Sequence, residues 1–241
     1  MKKVTVFNGS PRGKQSNSHK MVEAVLEGAC KAGAQTNEIF LVEHKIEHCK
    51  GCFACWTETP GKCIIHDDMD ELLEHFFSSN FVGFATPIYG MLMTGILKDF
   101  KDRMLPLSTP QIHKNEDGSF YHEGRIKRFP QMFYIANSGF PGNHNFDLLK
   151  PYVGMLNCVF EVYRNCGELL SDPIREGYQS KINDFLDTLK LAGESMVARG
   201  SVSQELIDKI HLPLISDEEY MAGANRELQD SFSNNKDFFN N

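Results

Sequence analysis

Four cysteines crowd one short segment: Cys49, Cys52, Cys55 and Cys63. The first three form a C-x2-C-x2-C run, which lets one loop present thiolates to three corners of a [4Fe–4S] cubane, and a fourth cysteine supplies the last corner. Zinc matches less well, because structural zinc sites usually draw on two separated pairs. Residues 56–62 lie between Cys55 and Cys63, and Ile64 follows. Ferredoxin-type runs instead place three residues before the fourth cysteine and proline after it. Packed or redox-labile thiols without a metal are therefore the competing reading. The cysteine total is seven, an odd number. In a reducing compartment the crowded set points to metal binding or redox chemistry rather than to a disulfide framework.

A second constellation runs from Val4 to Ser18. An apolar stretch, Val4-Thr5-Val6-Phe7, breaks at Asn8-Gly9, and Ser10, Ser16, Asn17 and Ser18 gather before a helical pattern begins at about His19. Arg12 adds a cation, and no acidic residue occurs before Glu23. A strand, a loop and a helix N-terminus in one sweep leave backbone N–H groups free beside the positive end of a helix dipole. The cluster of donors suits an anion, most simply a phosphate. An ordinary turn capped by Ser18 or Asn17 is the alternative, but a cap needs only one oxygen. The P-loop pattern fails, because Gly9 and Gly13-Lys14 are one residue too close and Gln15 replaces the hydroxyl. The dinucleotide pattern G-x-G-x-x-G is missing as well. A single phosphate, as in flavin mononucleotide, remains.

Alternating elements must hold these loops. Met21, Val22, Val25, Leu26 and Ala29 recur at helical spacing, Gly33 ends that helix, and Glu38–Val42 reads as a second strand. The cysteine segment is the loop that follows. Asp67, Asp68 and Asp70 open a helix with Leu72, Leu73, Phe76 and Phe77 as its buried stripe, so these acids are read as favourable first-turn charges. Phe81–Thr86 is a third strand, apolar enough to be buried on both faces. It runs into Pro87-Ile88-Tyr89-Gly90-Met91, followed by a helix over 94–104. Pro130–Ala136 is a fourth strand, ending in Asn137-Ser138-Gly139, where a plain turn and a ring-contacting loop are equally good readings. A helix over 146–158, a fifth strand over 159–163 and a long helix from about Asp172 to Gly200 complete the pattern, with Ile174, Tyr178, Ile182 and Phe185 on its stripe.

Residues 105–130 interrupt the alternation. Asp117-Gly118 signals a hairpin, and Arg125, Lys127 and Arg128 read as a solvated basic face. Beyond residue 200 a short helix is expected over Gln204–Ile210, then a polar tail whose last part, 231–241, is expected to be disordered. Two regions result: a body over 1–200 and an extension over 201–241. Hydrophobic content of 41% suits one globular body, and the net charge of -7 argues against nucleic acid as a partner. No apolar run approaches the ~18 residues of a membrane span, and Met1-Lys2-Lys3 leads directly into a strand, so a cytoplasmic location is expected.

Gly9-Ser10-Pro11-Arg12, Ser16-Asn17-Ser18, the four cysteines, Asp67-Asp68-Met69 and Thr86-Pro87-Ile88-Tyr89-Gly90 together resemble the flavodoxin-like NAD(P)H-dependent FMN reductases, in their iron–sulfur flavoprotein branch. The resemblance covers residues 3 to about 190. It implies an α/β flavodoxin-like, doubly wound, five-stranded parallel sheet of order 2-1-3-4-5, with helices on both faces and a ligand at the switch point; flavodoxin is the standing example of that rule. It implies that Ser10, Arg12, Ser16, Asn17 and Ser18 hold the FMN phosphate. Pro87, Ile88, Tyr89, Gly90 and the adjoining Met91 would hold the isoalloxazine, with Asn137, Ser138 and Gly139 at its polar edge. Cys49, Cys52, Cys55 and Cys63 would be the cluster ligands. Homodimers or homotetramers are the implied assemblies.

The expected function is FMN-dependent electron transfer from NAD(P)H or a protein donor to a small-molecule or protein acceptor. The flavin carries the chemistry, and no residue is singled out as an acid or base. The alternatives are an electron carrier that binds FMN without turning over NAD(P)H, and a flavin-free regulatory protein on the same fold.

Overall fold

The computed structural model describes residues 1–171 and 177–232. Five strands form one parallel sheet: β1 (Lys3–Asn8), β2 (Gln35–Phe40), β3 (Phe81–Pro87), β6 (Gln131–Asn137) and β7 (Glu161–Arg164). Their order is β2-β1-β3-β6-β7, which is 2-1-3-4-5 when only this sheet is counted. The chain between β3 and β6 makes a separate antiparallel hairpin, β4 (Ser108–Lys114) with β5 (Phe120–Gly124), turning at Asp117-Gly118 as the sequence predicts.

Strand side chains alternate between two cores. Val4, Val6, Phe81, Ala85, Phe133, Ile135 and Val162 face α1 (Asn17–Lys31) and α5 (Gln179–Arg199). Phe7, Val82, Phe84, Tyr134, Ala136 and Tyr163 face α2 (Met69–Phe77), α3 (Gly95–Asp102) and α4 (Leu149–Gly154). On the first face, α1 and α5 meet through glycines. A Cβ on Gly28 would lie 1.8 Å from the Lys190 carbonyl oxygen, and one on Gly193 would lie 2.0 Å from that of Val25.

Several boundaries differ from the sequence reading. β2 starts at Gln35 rather than Glu38, and Leu41–Glu43 is a 3-10 turn. An edge strand pairs on one side only, so the polar Gln35-Thr36-Asn37 serves without an apolar run. Helix α1 is capped by Ser16, whose Oγ accepts the His19 N–H at 3.1 Å; Asn17 and Ser18 lie in its first turn. The expected helix over 146–158 shrinks to a 3-10 turn at Asn143–Phe146 and the short α4, which ends at Gly154 ahead of a left-handed Asn157 at φ 50°. Strand β7 begins two residues later than expected. The long helix α5 begins at Gln179, and Ile174 lies outside the described residues.

The C-terminal extension departs most. After α6 (Gln204–Ile210), the stretch read as a polar tail contains a second helix, α7 (Asp217–Phe232). Asp217, Glu218 and Glu219 sit in its first turn, where the helix dipole favours acids. Buried Arg164 at the end of β7 donates to the carbonyls of Ile210 and Leu212, the latter at 3.0 Å, and its guanidinium lies 4.3 Å over the Phe185 ring. That cation terminates α6 and ties the extension to the sheet. Disorder is the sequence expectation over 231–241: Ser231 and Phe232 instead close α7, and 233–241 lie outside the described residues. Among the described residues, no helix is long and apolar enough to cross a membrane.

One buried cation has a consequence for stability. The Lys101 ammonium of α3 sits 3.3 Å over the Phe84 ring, with Tyr152 5.5 Å away, and burial pulls it from the ordinary 10.5 down to about 7 against a weaker opposing pull from Cys158. Between those two values the unfolded chain binds the proton that the folded chain has released. The contribution of Lys101 to stability therefore rises with pH from about 7 towards 10.5. Cys158, pushed up from 9.0 to about 12 by burial, acts in the opposite sense above about 9, where the unfolded chain has released a proton that the folded chain still holds. Lys101→Met should flatten this dependence and raise stability at pH 7 by about 1–3 kcal/mol, the ring contact offsetting part of the burial cost. Urea unfolding at pH 7 and pH 9 measures both effects; an unchanged slope in the variant refutes the assignment.

Candidate functional site

Three loops leave the carboxyl ends of β1, β3 and β6, and together they line one cavity of about 460 Å³. Every predicted loop residue lines it: Ser10, Arg12, Ser16, Asn17 and Ser18 from the first loop, Pro87 to Met91 from the second, and Asn137, Ser138 and Gly139 from the third. β1 and β3 are neighbours whose connections leave in opposite directions, so the cavity lies at the switch point of the sheet.

The first loop is built by its own side chains. Asn8 Oδ1 accepts the Ser10 N–H at 2.9 Å, and Ser16 Oγ donates to the Gly13 carbonyl at 2.7 Å. Gly13 takes φ +52°, where glycine costs least. Ser10, Ser16, Asn17 and Ser18 are all buried, while Arg12 remains largely exposed. Gly9 must be small, since a Cβ there would lie 2.6 Å from Leu97 Cβ. Thr94 Oγ1 donates to the Gly9 carbonyl at 2.7 Å and so joins the first loop to the cap of α3.

The second loop turns back on itself. The Tyr89 N–H donates to Leu92 and the Leu92 N–H to Tyr89, at 3.0 and 3.2 Å. Gly90 has φ +56° and Met91 φ +69°; the left-handed backbone at methionine is strained, as is common where a ligand is clamped. Tyr89 and Met91 are exposed at the rim. The third loop is fixed to both others. Asn137 Nδ2 donates to Ser18 Oγ at 2.7 Å, and the Ile88 N–H donates to the Asn137 carbonyl at 2.7 Å.

The four cysteines form a separate hollow. Cys49, Cys52, Cys55 and Cys63 all line it, with Lys50 and Arg103 beside them, and none is in a disulfide. Gly51 and Phe53 adopt φ +61° and +57°, which bends the run around the hollow. Cys55 is buried, and its thiol is pushed up by that burial and then by Cys63, Cys52 and Cys49 in turn. Thiolates gathered this way need a cationic centre to ionise together, so the donor set suits iron–sulfur ligation. Among the described residues, no three of the His, Cys, Asp or Glu side chains are gathered tightly enough for a single metal ion.

Asp67 corrects the reading of the acidic helix start. Its side chain is fully buried and pairs with Arg103 in two bonds, at 2.6 and 2.9 Å. It also accepts the Glu47 N–H at 2.8 Å and the Met69 N–H at 3.2 Å. Burial alone would raise its carboxyl, but Arg103 and these N–H groups override it and hold it below the ordinary 3.8. Asp67 therefore braces the floor of the cysteine hollow rather than serving a helix dipole.

The sequence profile of the NADPH-dependent FMN reductases matches residues 2–116. An iron–sulfur flavoprotein of Methanocaldococcus jannaschii is 33% identical over 151 residues, covering 63% of this chain and 74% of that protein. The chain belongs to the NADPH-dependent FMN reductase family, in its iron–sulfur flavoprotein branch. An iron–sulfur flavoprotein of Archaeoglobus fulgidus is 39% identical over 106 residues, 44% of this chain and 46% of its own, so this chain spans less than half of that relative. The fold is shared with an FMN-dependent NADH-azoreductase of Bacillus anthracis, solved with FMN: TM-score 0.55, 19% identity, 84% of this chain and 100% of that one.

Within this flavoprotein branch, sequence reasoning misses three partners of the first cavity. Phe140 and Asn145 line it, the latter donating to the Pro141 and Gly142 carbonyls. Glu168 arrives from beyond β7 and meets Arg12 at 3.4 Å, Asn17 at 3.3 Å and Ser171 at 3.3 Å. A carboxylate thus occupies donors that a phosphate would use. Glu168→Gln is expected to tighten FMN binding by about fivefold, the effect of removing roughly 1 kcal/mol of repulsion near the surface. A fluorescence titration with weaker binding would show instead that Glu168 positions the loop.

The extension reaches the same cavity. Tyr220 of α7 donates its hydroxyl to the Gly139 carbonyl at 2.7 Å, and Asp217 accepts the Gly142 N–H at 3.0 Å. Tyr220→Phe removes one neutral hydrogen bond, about 0.5–1.5 kcal/mol. FMN affinity should fall by roughly twofold to tenfold with unchanged secondary structure. Unaltered affinity in a calorimetric titration would detach the extension from the site.

Proposed function

We propose that this chain is an FMN-dependent oxidoreductase that takes electrons from NAD(P)H or a protein donor and passes them to a small-molecule or protein acceptor. Cys49, Cys52, Cys55 and Cys63 are proposed to hold an iron–sulfur cluster. The observation that carries the reading is the single cavity at the switch point, polar and cationic at the first loop and apolar at the second. In the proposed pose, Arg12 and the N-terminal turn of α1 hold the phosphate, as a helix N-terminus with free N–H groups does. Tyr89 and Met91 flank the ring, and Asn137 and the N–H of Gly139 face its polar edge. The strained second loop fixes that ring against the sheet end rather than letting it swing.

Bound FMN would supply hydride chemistry, and the cluster one-electron transfer. The chain's own residues bind and orient the flavin and leave its outer face open to a partner. The names of the relatives support both groups: two are iron–sulfur flavoproteins and a structural neighbour was solved with FMN. Anaerobic purification with a visible spectrum and analysis of iron and acid-labile sulfide tests the cofactors. Four irons per chain with flavin bands is the expected result for one cubane. Oxidation of NADH or NADPH by the purified protein alone, with a quinone as acceptor, tests the activity. A flavin that NAD(P)H leaves oxidised but a reduced protein donor bleaches would make the chain a carrier. A colourless protein that ignores added FMN would refute the whole reading.

A further inference from the structure

The floor of the cysteine hollow is a buried arginine with one bond unmade. Arg103 is 1% exposed, and both its terminal nitrogens are committed: Nη1 to Asp67 and to the Glu47 carbonyl at 2.7 Å, and Nη2 to Asp67. Its Nε–H, buried as well, has no acceptor. A buried donor left unpaired is costly, and more so on a charged group. The hollow that Arg103 lines also contains all four thiols, and Cys63 is the thiol that neighbours the guanidinium. Asp67 fixes the plane of the guanidinium with its two-pronged bond, so the direction of Nε–H is set before any ligand arrives.

We infer that Arg103 is a positioning residue for the iron–sulfur cluster, giving its Nε–H to sulfur at the Cys63 corner and so raising the reduction potential of the centre. This rests on the cluster reading proposed above. Hydrogen bonds to the sulfurs and the net charge around them are the levers by which a protein sets such potentials. An N–H aimed at sulfur, backed by a fixed positive charge, favours the oxidation state with more negative charge, which is the reduced one. Asp67 and the Glu47 carbonyl keep the cation in place without competing for that N–H.

The test is a mediated redox titration of anaerobically purified holoprotein, followed by electron paramagnetic resonance. Arg103→Lys keeps the charge and a partner for Asp67 but removes the Nε donor. Its midpoint potential should fall, with a tenfold change in the oxidised-to-reduced ratio at fixed potential, or about 59 mV for a one-electron couple. The paired Arg103→Gln/Asp67→Asn variant removes the donor without leaving a lone buried charge, and its potential should fall too. Iron present and potential unmoved in either folded variant overturns the role of Arg103 alone. A folded, flavin-bound variant that cannot hold iron overturns it as well, making Arg103 a scaffold of the loop. No iron in the wild-type protein overturns the cluster reading and this inference with it.

Discussion

An Arg12→Gln/Ser16→Ala double variant is expected to emerge from purification colourless, while the wild-type protein emerges yellow. Arg12 is the one guanidinium on the first loop, and a charge-assisted bond to a phosphate contributes about 1.5–3 kcal/mol. Ser16 does two things at once. Its hydroxyl accepts the His19 N–H as the cap of α1 and donates to Gly13, which shapes the turn beneath the phosphate. Losing such a cap costs about 0.5–2 kcal/mol. The two losses together reach roughly 2–5 kcal/mol, a weakening of about 30-fold to several thousandfold. Flavin held that weakly washes away at column dilution. The core faces of α1 are untouched, so the circular dichroism spectrum should match the wild type. A folded double variant that keeps stoichiometric FMN would move the phosphate elsewhere.

The other large effect lies in the floor of the cysteine hollow. Asp67→Asn leaves Arg103 charged, buried and half-paired. Removing one partner of a buried ion pair typically costs about 3–5 kcal/mol, far more than the pair itself contributes against apolar substitutes. Thermal unfolding should fall by roughly 6–20 °C, at about 2–4 °C per kcal/mol for a domain of this size. The acid side gives a second reading. Because the Asp67 carboxyl is held below 3.8 in the folded protein, its contribution is fully present above that value. It is lost as the pH falls through the lower, folded value. The variant should lack this part of the acid transition. Equal melting temperatures for variant and wild type would mean that Arg103 finds another partner.

The sequence carries the site loops better than it carries their supports. Ser10 to Ser18 and Pro87 to Met91 are contiguous, and each follows a strand whose apolar run marks its end. A loop at the carboxyl end of a parallel strand has few places to go, so adjacency alone brings them together. Glu168, Tyr220 and Arg103 are different. They meet Arg12, Gly139 and Asp67 across 156, 81 and 36 positions, and no local pattern records such a pairing. Arg103 falls within the helix expected over 94–104, with nothing local to single it out. Asp67 reads as a helix-start acid, because that explanation is available locally and the buried one is not. The edge strand β2 shows the same limit in the backbone: its polar first half looks like loop until pairing with Lys3 to Asn8 sets its register. In the extension, composition alone suggests a polar tail, whereas its apolar positions Ile210, Leu212, Leu214, Ile215 and Tyr220 suggest a stretch pinned to the body; all but Leu212 are buried, and Tyr220 with the contacts of the first turn holds α7.

The chain has a single tryptophan, and it stands on the cysteine loop. Trp56 donates its indole N–H to the Leu105 carbonyl at 3.2 Å, leans on Phe53 at 5.3 Å and meets His122 of the hairpin at 4.7 Å between ring centroids. Indole emission from this protein therefore comes from one known place, between the thiols and the β4–β5 hairpin. If the loop holds the proposed cluster, iron entering or leaving it would be visible as quenching or recovery of that light, with no label attached. Such a protein would carry its own gauge of whether the loop is loaded, readable in the same cuvette as the flavin.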